Sequence, residues 1–188
     1  IAFANELSMI CDKLNIDVWE LIQLANKHPR VNILNPGAGV GGHCLAVDPW
    51  FIVEKLPKLS KVIRASREVN EHKPEWVVEK VEKEIKEIFD NKGITIGVLG
   101  LAYKPNIDDL RESPSLKIAL TLKERGYKVI GCEPNYKNDE IKNIKNVNFD
   151  TLLEKADYLI YCVPHSQFKA KKDQIKEKRV LDLVGELK

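Results

Sequence analysis

The sequence predicts an α/β protein, in which a helical first part is followed by a doubly wound parallel sheet. Two observations predict this fold class. Up to about residue 92, the apolar residues recur at the spacing of amphipathic helices. From Gly93 onward, short apolar runs alternate with helical patterns, as in parallel sheets that are covered by helices. We therefore expect two domains, residues 1–92 and residues 93–188.

Helices are expected in four places of the first part. Helical periodicity predicts one helix over residues 1–14 and a second over about 18–26. A third helix is expected over about 60–70. Pro74 then suits the first turn of a further long helix, which should end near residues 90–93.

The second part has the pattern of a Rossmann-like domain. Its first strand is expected over residues 94–99, and Ser113 with Pro114 suits the start of a helix that runs to about Arg125. About five parallel strands are predicted, with the ligand crevice at their carboxyl ends. The remaining strands are predicted at residues 128–132, 147–149, 158–163 and 180–184, with helices near residues 139–143, 151–155 and 167–176.

Charge and cysteine content exclude several classes of function. The chain has 30 basic and 28 acidic residues, and a net charge of +2 predicts neither nucleic-acid binding nor membrane attachment. No apolar run approaches the roughly 20 residues that a membrane span requires. The cysteines are widely spaced without a C-x-x-C pair, so we expect no metal site, no disulfide framework and a cytoplasmic location. They are Cys11, Cys44, Cys132 and Cys162.

The most informative stretch is residues 36–51, with the sequence PGAGVGGHCLAVDPWF. Its glycines allow backbone N–H groups to approach a ligand closely. Cys44 follows them, and Asp48 comes four residues later, so a thiolate could attack a bound electrophile while the carboxylate handles a proton. The local chemistry alone is equally consistent with a tight glycine turn and a buried, inert cysteine.

This stretch resembles the catalytic-cysteine segment of the UDP-glucose/GDP-mannose dehydrogenase family, whose members include UDP-sugar 6-dehydrogenases. The resemblance continues through residues 28–34, 64–70 and 100–114 and covers nearly the whole chain. It implies oxidation of the sugar C6 alcohol to the acid, with two NAD⁺ and one water. Cys44 would form a thiohemiacetal and then a thioester, and Asp48 would assist the water that releases the product.

The resemblance also implies contacts with a UDP-sugar. Lys104 and Arg111 lie on the loop after the first strand, although Arg111 could instead pair with Asp108, Asp109 or Glu112 to hold that loop. His165 would lie across the crevice, where we expect a structural role. The expected substrate-binding residues are His28, Arg30, Gly37, Gly39, Gly41, Gly42, His43, Lys104 and Arg111.

The cofactor NAD is expected to bind outside this sequence. In the family, a NAD-binding domain and a helix with a catalytic lysine precede this region, and the chain begins at Ile1 inside a helical pattern. We therefore expect part of a longer protein. Residues 37–42 match the letters G-x-G-x-x-G, but residues 44–49 with a proline follow where a helix should begin. Residues 97–100 precede a loop too long for a dinucleotide turn. The cofactor-binding residues thus stay unknown. Helices of the family's central region pair subunits, which implies a homodimer or higher homo-oligomer.

Departures from the UDP-glucose members indicate the sugar. His43 replaces a serine, and Leu45, Ala46 and Val47 replace a Phe-Pro-Lys pattern, which favours N-acetylhexosamine substrates. Ala46, Trp50 and residues 28–30 favour the mannosamine epimer over the glucosamine one. Two other classes stay open: a nucleotide-sugar binding module without chemistry of its own, and a cysteine hydrolase. The hydrolase is disfavoured because no Cys-His-Asn spacing is recognisable.

Overall fold

The first part of the chain is helical, as predicted. The structure, a computed structural model, describes residues 1–89 and 93–187. Helices α1 and α2 confirm the first two predictions, whereas α3 was not predicted. Its signal is present in the sequence, because Asp48 and Pro49 are residue types that favour a first helical turn. The four helices are α1 Ala2–Leu14, α2 Val18–Ala25, α3 Asp48–Lys55 and α4 Lys61–Phe89.

Helix α4 passes through Pro74 without ending. The prediction of two separate helices, over about 60–70 and from Pro74 onward, is therefore wrong. Because proline has no N–H, the carbonyl of Asn70 loses its usual helical donor. That carbonyl faces the glycine-rich stretch, where a Cβ added to Gly39 would lie 3.1 Å from it. The predicted end near residues 90–93 falls on residues 90–92, which are outside the described residues.

The second part forms a six-stranded, mostly parallel sheet in the order β3-β4-β2-β1-β5-β6, which confirms the predicted fold class. Leu99 of β1 pairs with Cys132 of β2 and Tyr161 of β5, so these strands end at the same edge. The chain reverses its winding direction there, which places a crevice at their carboxyl ends. The strands are β1 Thr95–Leu99, β2 Lys128–Cys132, β3 Glu140–Ile141, β4 Ile144–Asn146, β5 Tyr158–Tyr161 and β6 Val180–Asp182.

Three local predictions for the second part are wrong. The helix predicted near residues 139–143 and the strand at 147–149 are replaced by an antiparallel hairpin of β3 and β4. Lys142 and Asn143 form its turn with φ angles of 46° and 68°, a turn that suits the twist of paired strands. The helix predicted over 167–176 is two short helices. The helices here are α5 Pro114–Glu124, α6 Phe149–Lys155, α7 Ser166–Lys169 and α8 Lys172–Lys176.

Helix α4 joins the helical part to the sheet. Its side chains Val77, Val78, Val81 and Ile85 are fully buried in the same cluster as β1 and α5. A second apolar cluster on the opposite face of the sheet contains residues of α6, α7 and α8. Burial of both faces is the arrangement expected for a parallel sheet. None of the helices in the described residues has the length and apolar character that a membrane crossing requires.

Candidate functional site

The glycine-rich segment, residues 37–42, is fastened to the helical part by Asn5. This side chain is fully buried, and its Nδ2 donates a hydrogen bond to Asn70 Oδ1 at 2.9 Å. Its Oδ1 accepts the Gly37 N–H, also at 2.9 Å. Helices α1 and α4 therefore fix the start of the segment, and the Gly37 N–H is used within the protein.

Two of the glycines are required by a close contact between loops. A Cβ added to Gly41 would lie 2.5 Å from Tyr103 Cβ and 2.6 Å from the carbonyl oxygen of Glu112. Gly42 has a φ of +83°, and its N–H donates to the carbonyl of Arg111 at 3.0 Å. The segment thus packs its backbone against the loop of residues 100–113, here called the β1–α5 loop. This reason for the glycines was not predicted, because it depends on a contact between distant loops.

These two loops line an open cavity of about 400 Å³. It brings together Cys44, the glycine-rich segment and Lys104, which are sixty residues apart in the sequence. The lining residues are Ile1, Gly39, Val40, Gly41, Gly42, His43, Cys44, Leu45, Tyr103 and Lys104. Six of the predicted site residues therefore line a single cavity. They are Gly39, Gly41, Gly42, His43, Cys44 and Lys104.

Cys44 has an exposed free thiol in the turn that leads into α3, so it is not a buried core cysteine. Its carbonyl accepts the N–H of Asp48 at 2.8 Å, which holds the backbones of the two residues one turn apart. Arg67 of α4 stabilises this turn, because its Nη1 donates a hydrogen bond to the carbonyl of Leu45 at 3.2 Å. The buried Arg67 also pairs with Glu71 at 3.1 Å.

Arg111 pairs with Asp109 rather than standing free. The distance from Arg111 Nη2 to Asp109 Oδ2 is 2.6 Å. These hydrogen bonds lower the pKa of Asp109 to about 2, with a smaller contribution from His43. They also raise the pKa of Arg111, and Tyr103 and Cys44 make smaller contributions in the same direction. The guanidinium is therefore tied to its own loop, as the alternative interpretation expected, while it stays in electrostatic reach of Cys44.

Five of the predicted site residues, Gly37, Arg111 and three others, do not line the cavity. His28 and Arg30 are exposed in the loop after α2, where the Arg30 N–H donates to His28 Nδ1 at 3.3 Å. Asp48 is exposed at the start of α3. Among the described residues, none of these three lines the cavity.

A buried cluster of Glu133 and His165 lies at the carboxyl edge of the sheet. Sequence reasoning expected a structural role for His165 but missed Glu133. Glu133 follows β2, the position at which dinucleotide-binding folds carry a ribose-binding carboxylate. Here its Oε2 accepts the N–H groups of Leu101 and Ala102 at 2.9 Å each. The same oxygen lies 3.0 Å from His165 Nε2. Its position at the end of the second strand was the signal that could have drawn attention to it.

The residues present do not fit NAD. The carboxylate of Glu133 is occupied by the β1–α5 loop, and a Cβ at Gly100 would lie 2.4 Å from Val163 Cβ, so this glycine serves internal packing. The glycine-rich segment follows no strand. A metal is likewise unsupported, because the described residues contain no group of three or more His, Cys, Asp or Glu that could hold one.

Comparison with family models assigns both parts of the chain. Residues 1–72 match the central domain of the UDP-glucose/GDP-mannose dehydrogenase family, and residues 97–188 match its UDP binding domain. The chain belongs to this family. It is 55% identical over 174 residues to a UDP-N-acetyl-D-mannosamine dehydrogenase of Campylobacter jejuni, with 89% of this chain and 42% of that protein covered.

Two further relatives support the assignment. An NDP-N-acetyl-D-galactosaminuronic acid dehydrogenase of Ralstonia nicotianae is 46% identical over 189 residues, covering 98% of this chain and 44% of the relative. The structure of the UDP-N-acetyl-mannosamine dehydrogenase Cap5O from S. aureus superimposes with a TM-score of 0.84 at 38% identity, covering 100% of this chain and 44% of that one. The chain thus spans less than half the length of these relatives.

Proposed function

We propose that this chain supplies the nucleophile and the nucleotide site of a NAD-dependent dehydrogenase that oxidises C6 of UDP-N-acetyl-D-mannosamine to the carboxylate. The observation that carries the proposal is the cavity that joins Cys44, the glycine-rich segment and Lys104. It lies where residues matching the family's central and UDP binding domains meet. The names of the C. jejuni and S. aureus relatives support this choice of sugar.

In the proposed reaction, a first hydride leaves C6 to NAD⁺ and gives an aldehyde, and Cys44 attacks its carbonyl carbon to form a thiohemiacetal. A second hydride then leaves C6 to a second NAD⁺ and gives the thioester. A thiolate suits this role because it adds readily to carbonyls and later leaves from a thioester. Asp48 takes the proton of the water that hydrolyses the thioester. The hydrogen bond between the Asp48 N–H and the Cys44 carbonyl supports this pairing, since it holds the two residues at a constant separation.

The substrate contacts are proposed around the same cavity. Lys104 binds the diphosphate as a point charge, and Arg111 adds a second cation next to Cys44. His43 and the N–H groups of the glycine-rich segment contact the sugar. His28 and Arg30, which lie outside the cavity, are proposed to reach the substrate of a neighbouring subunit.

NAD⁺ is the proposed hydride acceptor, and its site is proposed to lie outside this chain, since no described residues fit it. Oxidation by NAD⁺ distinguishes this proposal from the second candidate function, which is a nucleotide-sugar binding module without its own chemistry. Residues 1–92 are proposed as the central domain and residues 93–188 as the UDP-sugar-binding domain. The four free cysteines support a cytoplasmic location.

A homodimer or higher oligomer is proposed to form through the helical part. The end of α3 and the start of α4 expose an apolar surface, on which Leu59 is 80% and Val62 79% accessible. Exposed clusters of this kind mark contact surfaces in proteins. Phe51, Ile52 and Leu56 extend the same surface.

The function is tested in the full-length protein with Cys44→Ala. We expect no formation of the acid from UDP-N-acetyl-D-mannosamine, while the affinity for the sugar nucleotide stays within a few-fold. Cys11→Ala, at a buried thiol of α1, is the matched control and should retain activity. Undiminished NADH production by Cys44→Ala would refute the covalent mechanism. UDP-N-acetylglucosamine in place of the mannosamine substrate tests the alternative epimer.

A second experiment separates enzyme from binding module. The 188-residue chain is titrated separately with UDP and with NAD⁺. We expect weak UDP binding, no saturable NAD⁺ binding and no NADH formation. Saturable NAD⁺ binding would show that a dinucleotide site lies within this chain, and absence of UDP binding would remove the nucleotide role of residues 93–188.

A further inference from the structure

The part of the β1–α5 loop that carries Tyr103 and Lys104 is anchored at both ends by buried groups. At its start, the Glu133 carboxylate accepts the N–H groups of Leu101 and Ala102 at 2.9 Å each. At its end, the N–H of Asn106 donates to His165 Nδ1 at 3.0 Å. Lys104 therefore lies on a six-residue span whose two ends are both tied to the sheet.

The two anchors belong to one network. His165 Nε2 lies 3.0 Å from Glu133 Oε2, and both side chains are 0% exposed. A backbone N–H can only donate, so His165 Nδ1 must be the acceptor for Asn106. Nε2 then carries the proton and donates it to Glu133. Asn135 Nδ2, also 3.0 Å from Nδ1, is a second donor that favours the same tautomer.

The charge on Glu133 strengthens this network. Burial by itself raises the pKa of the carboxyl group, but the hydrogen bonds from His165 and from the two backbone N–H groups outweigh it and lower the pKa. The carboxylate is therefore ionised and its hydrogen bonds are charge-assisted, the stronger class. An ionised group with this many partners resists movement of the loop that supplies them.

The far anchor also holds an unusual backbone conformation. Asn106 has a φ of 61°, in the left-handed region that few residues other than glycine adopt. Its Oδ1 accepts the N–H and the hydroxyl of Ser166 at 2.9 and 3.0 Å, which joins the loop to the start of α7. The turn that follows Lys104 is thus fixed by side-chain and backbone contacts together.

We propose that Glu133 and His165 are positioning residues, which hold the loop so that Lys104 faces the nucleotide. The inference rests on the proposed function of Lys104 as a diphosphate contact. Among the described residues that line the cavity, neither Glu133 nor His165 is present, so they act through the loop and not by touching the ligand. The carboxylate at the end of β2 therefore braces the loop.

The test is a double-mutant cycle with UDP as the probe, measured by calorimetry on the full-length protein. His165→Ala should weaken UDP binding about tenfold, on the scale of one lost hydrogen bond to a charged group. Lys104→Ala should weaken it to a similar degree. Because His165 acts through Lys104, the double variant should be no weaker than Lys104→Ala alone. Fully additive losses would overturn the inference.

Two further variants separate positioning from general destabilisation. His165→Asn keeps an acceptor at the position of Nδ1 and should restore part of the affinity. Leu152→Val, in the apolar cluster on one face of the same sheet, should lower the melting temperature without changing the UDP affinity. Equal loss of UDP affinity in Leu152→Val and His165→Ala would mean that His165 affects binding only through the stability of the core, and this would overturn the inference.

Hydrogen exchange makes failure of this inference distinguishable from failure of the proposed function. In His165→Ala, the amides of Leu101, Ala102 and Asn106 should exchange faster in the absence of any ligand. If the wild-type protein binds no UDP, the proposed nucleotide site is refuted and so is the role of the network in binding. If it binds UDP and these amides keep their protection in His165→Ala, the positioning role alone is refuted.

Discussion

Lys73 offers a quantitative test of how burial affects this structure. It lies in α4 and is 2% exposed; its Nζ donates to Ser8 Oγ at 2.7 Å and lies 3.8 Å from the centre of the Trp76 ring. Burial lowers the pKa of Lys73 from 10.5 to about 7, while the charge of Asp12 opposes this change and that of Lys80 adds to it. Burying the charged form costs free energy because the ammonium loses its hydration.

The free energy of unfolding depends on pH because the pKa of Lys73 differs between the folded and the unfolded chain. Between pH 7 and 10.5 the unfolded chain holds a proton on Lys73 that the folded chain does not, so the free energy of unfolding rises with pH. At about 1.4 kcal/mol per pKa unit, the full difference corresponds to roughly 5 kcal/mol. The cost is complete below pH 7 and disappears as the pH approaches 10.5.

Lys73→Met removes the ionisable group and keeps most of the volume. Ser8 still has a partner in the variant, since its hydroxyl donates to the Asn5 carbonyl at 2.6 Å. We therefore expect the variant to be more stable than the wild type at pH 6. Its advantage should shrink by about 1.4 kcal/mol for each pH unit above 7.

The assay is urea denaturation of both proteins at several pH values from 6 to about 9.5. Groups that do not interact with Lys73 titrate equally in both proteins, so the difference between the two curves reports Lys73 together with its electrostatic neighbours Asp12 and Lys80. Lys83→Met, on the same helix with a side chain 77% exposed, is the matched control and should show no such slope. A stability difference between wild type and Lys73→Met that does not change with pH would refute the reasoning.

Three further predictions concern the cavity. Lys104→Ala should weaken UDP binding by about 1–3 kcal/mol; equal affinities in calorimetry would assign Lys104 to the solvated surface. Asp48→Asn should slow hydrolysis of the thioester, so that mass spectrometry detects an acyl adduct on Cys44; rapid turnover without an adduct would argue against Asp48 as the base. Gly41→Ala should lower the melting temperature and the UDP affinity because its Cβ meets the β1–α5 loop, whereas Gly37→Ala, with nothing within 4 Å, should leave the melting temperature nearly unchanged.

Local sequence signals predicted an element well where the residue types at its start have a direct structural role. Ser113 followed by Pro114 marks the start of α5, and Ser113 Oγ does accept the N–H of Leu116 at 3.3 Å. The continuity of α4 could not be predicted, because the rule that proline begins or breaks a helix is local. Packing of the buried Pro74 against the glycine-rich segment outweighs it. The hairpin at Lys142 and Asn143 was missed because its turn contains no glycine.

The candidate site was predictable only in part. Cys44 and its glycines were identified from adjacent residues, but their contact with Tyr103 joins two loops that are far apart in sequence. The network of Glu133 and His165 was hidden for the same reason, since its members follow different strands and meet only when those strands pair. Sequence reasoning therefore identified the reactive group and the structural role of His165, but missed Glu133, its partner in bracing the β1–α5 loop.

Helix α4 has a consequence for any attempt to divide this protein. The family matches end at residue 72 and resume at residue 97, which suggests a convenient place to cut the chain. Yet Val77, Val78, Val81 and Ile85 lie between those limits and have no exposed surface. Tyr158 of β5 donates its hydroxyl hydrogen to Glu84, and Arg125 pairs with Glu82 at 2.7 Å. A UDP-binding fragment that began at residue 97 would lose this cover and present the bare apolar face of its sheet to water.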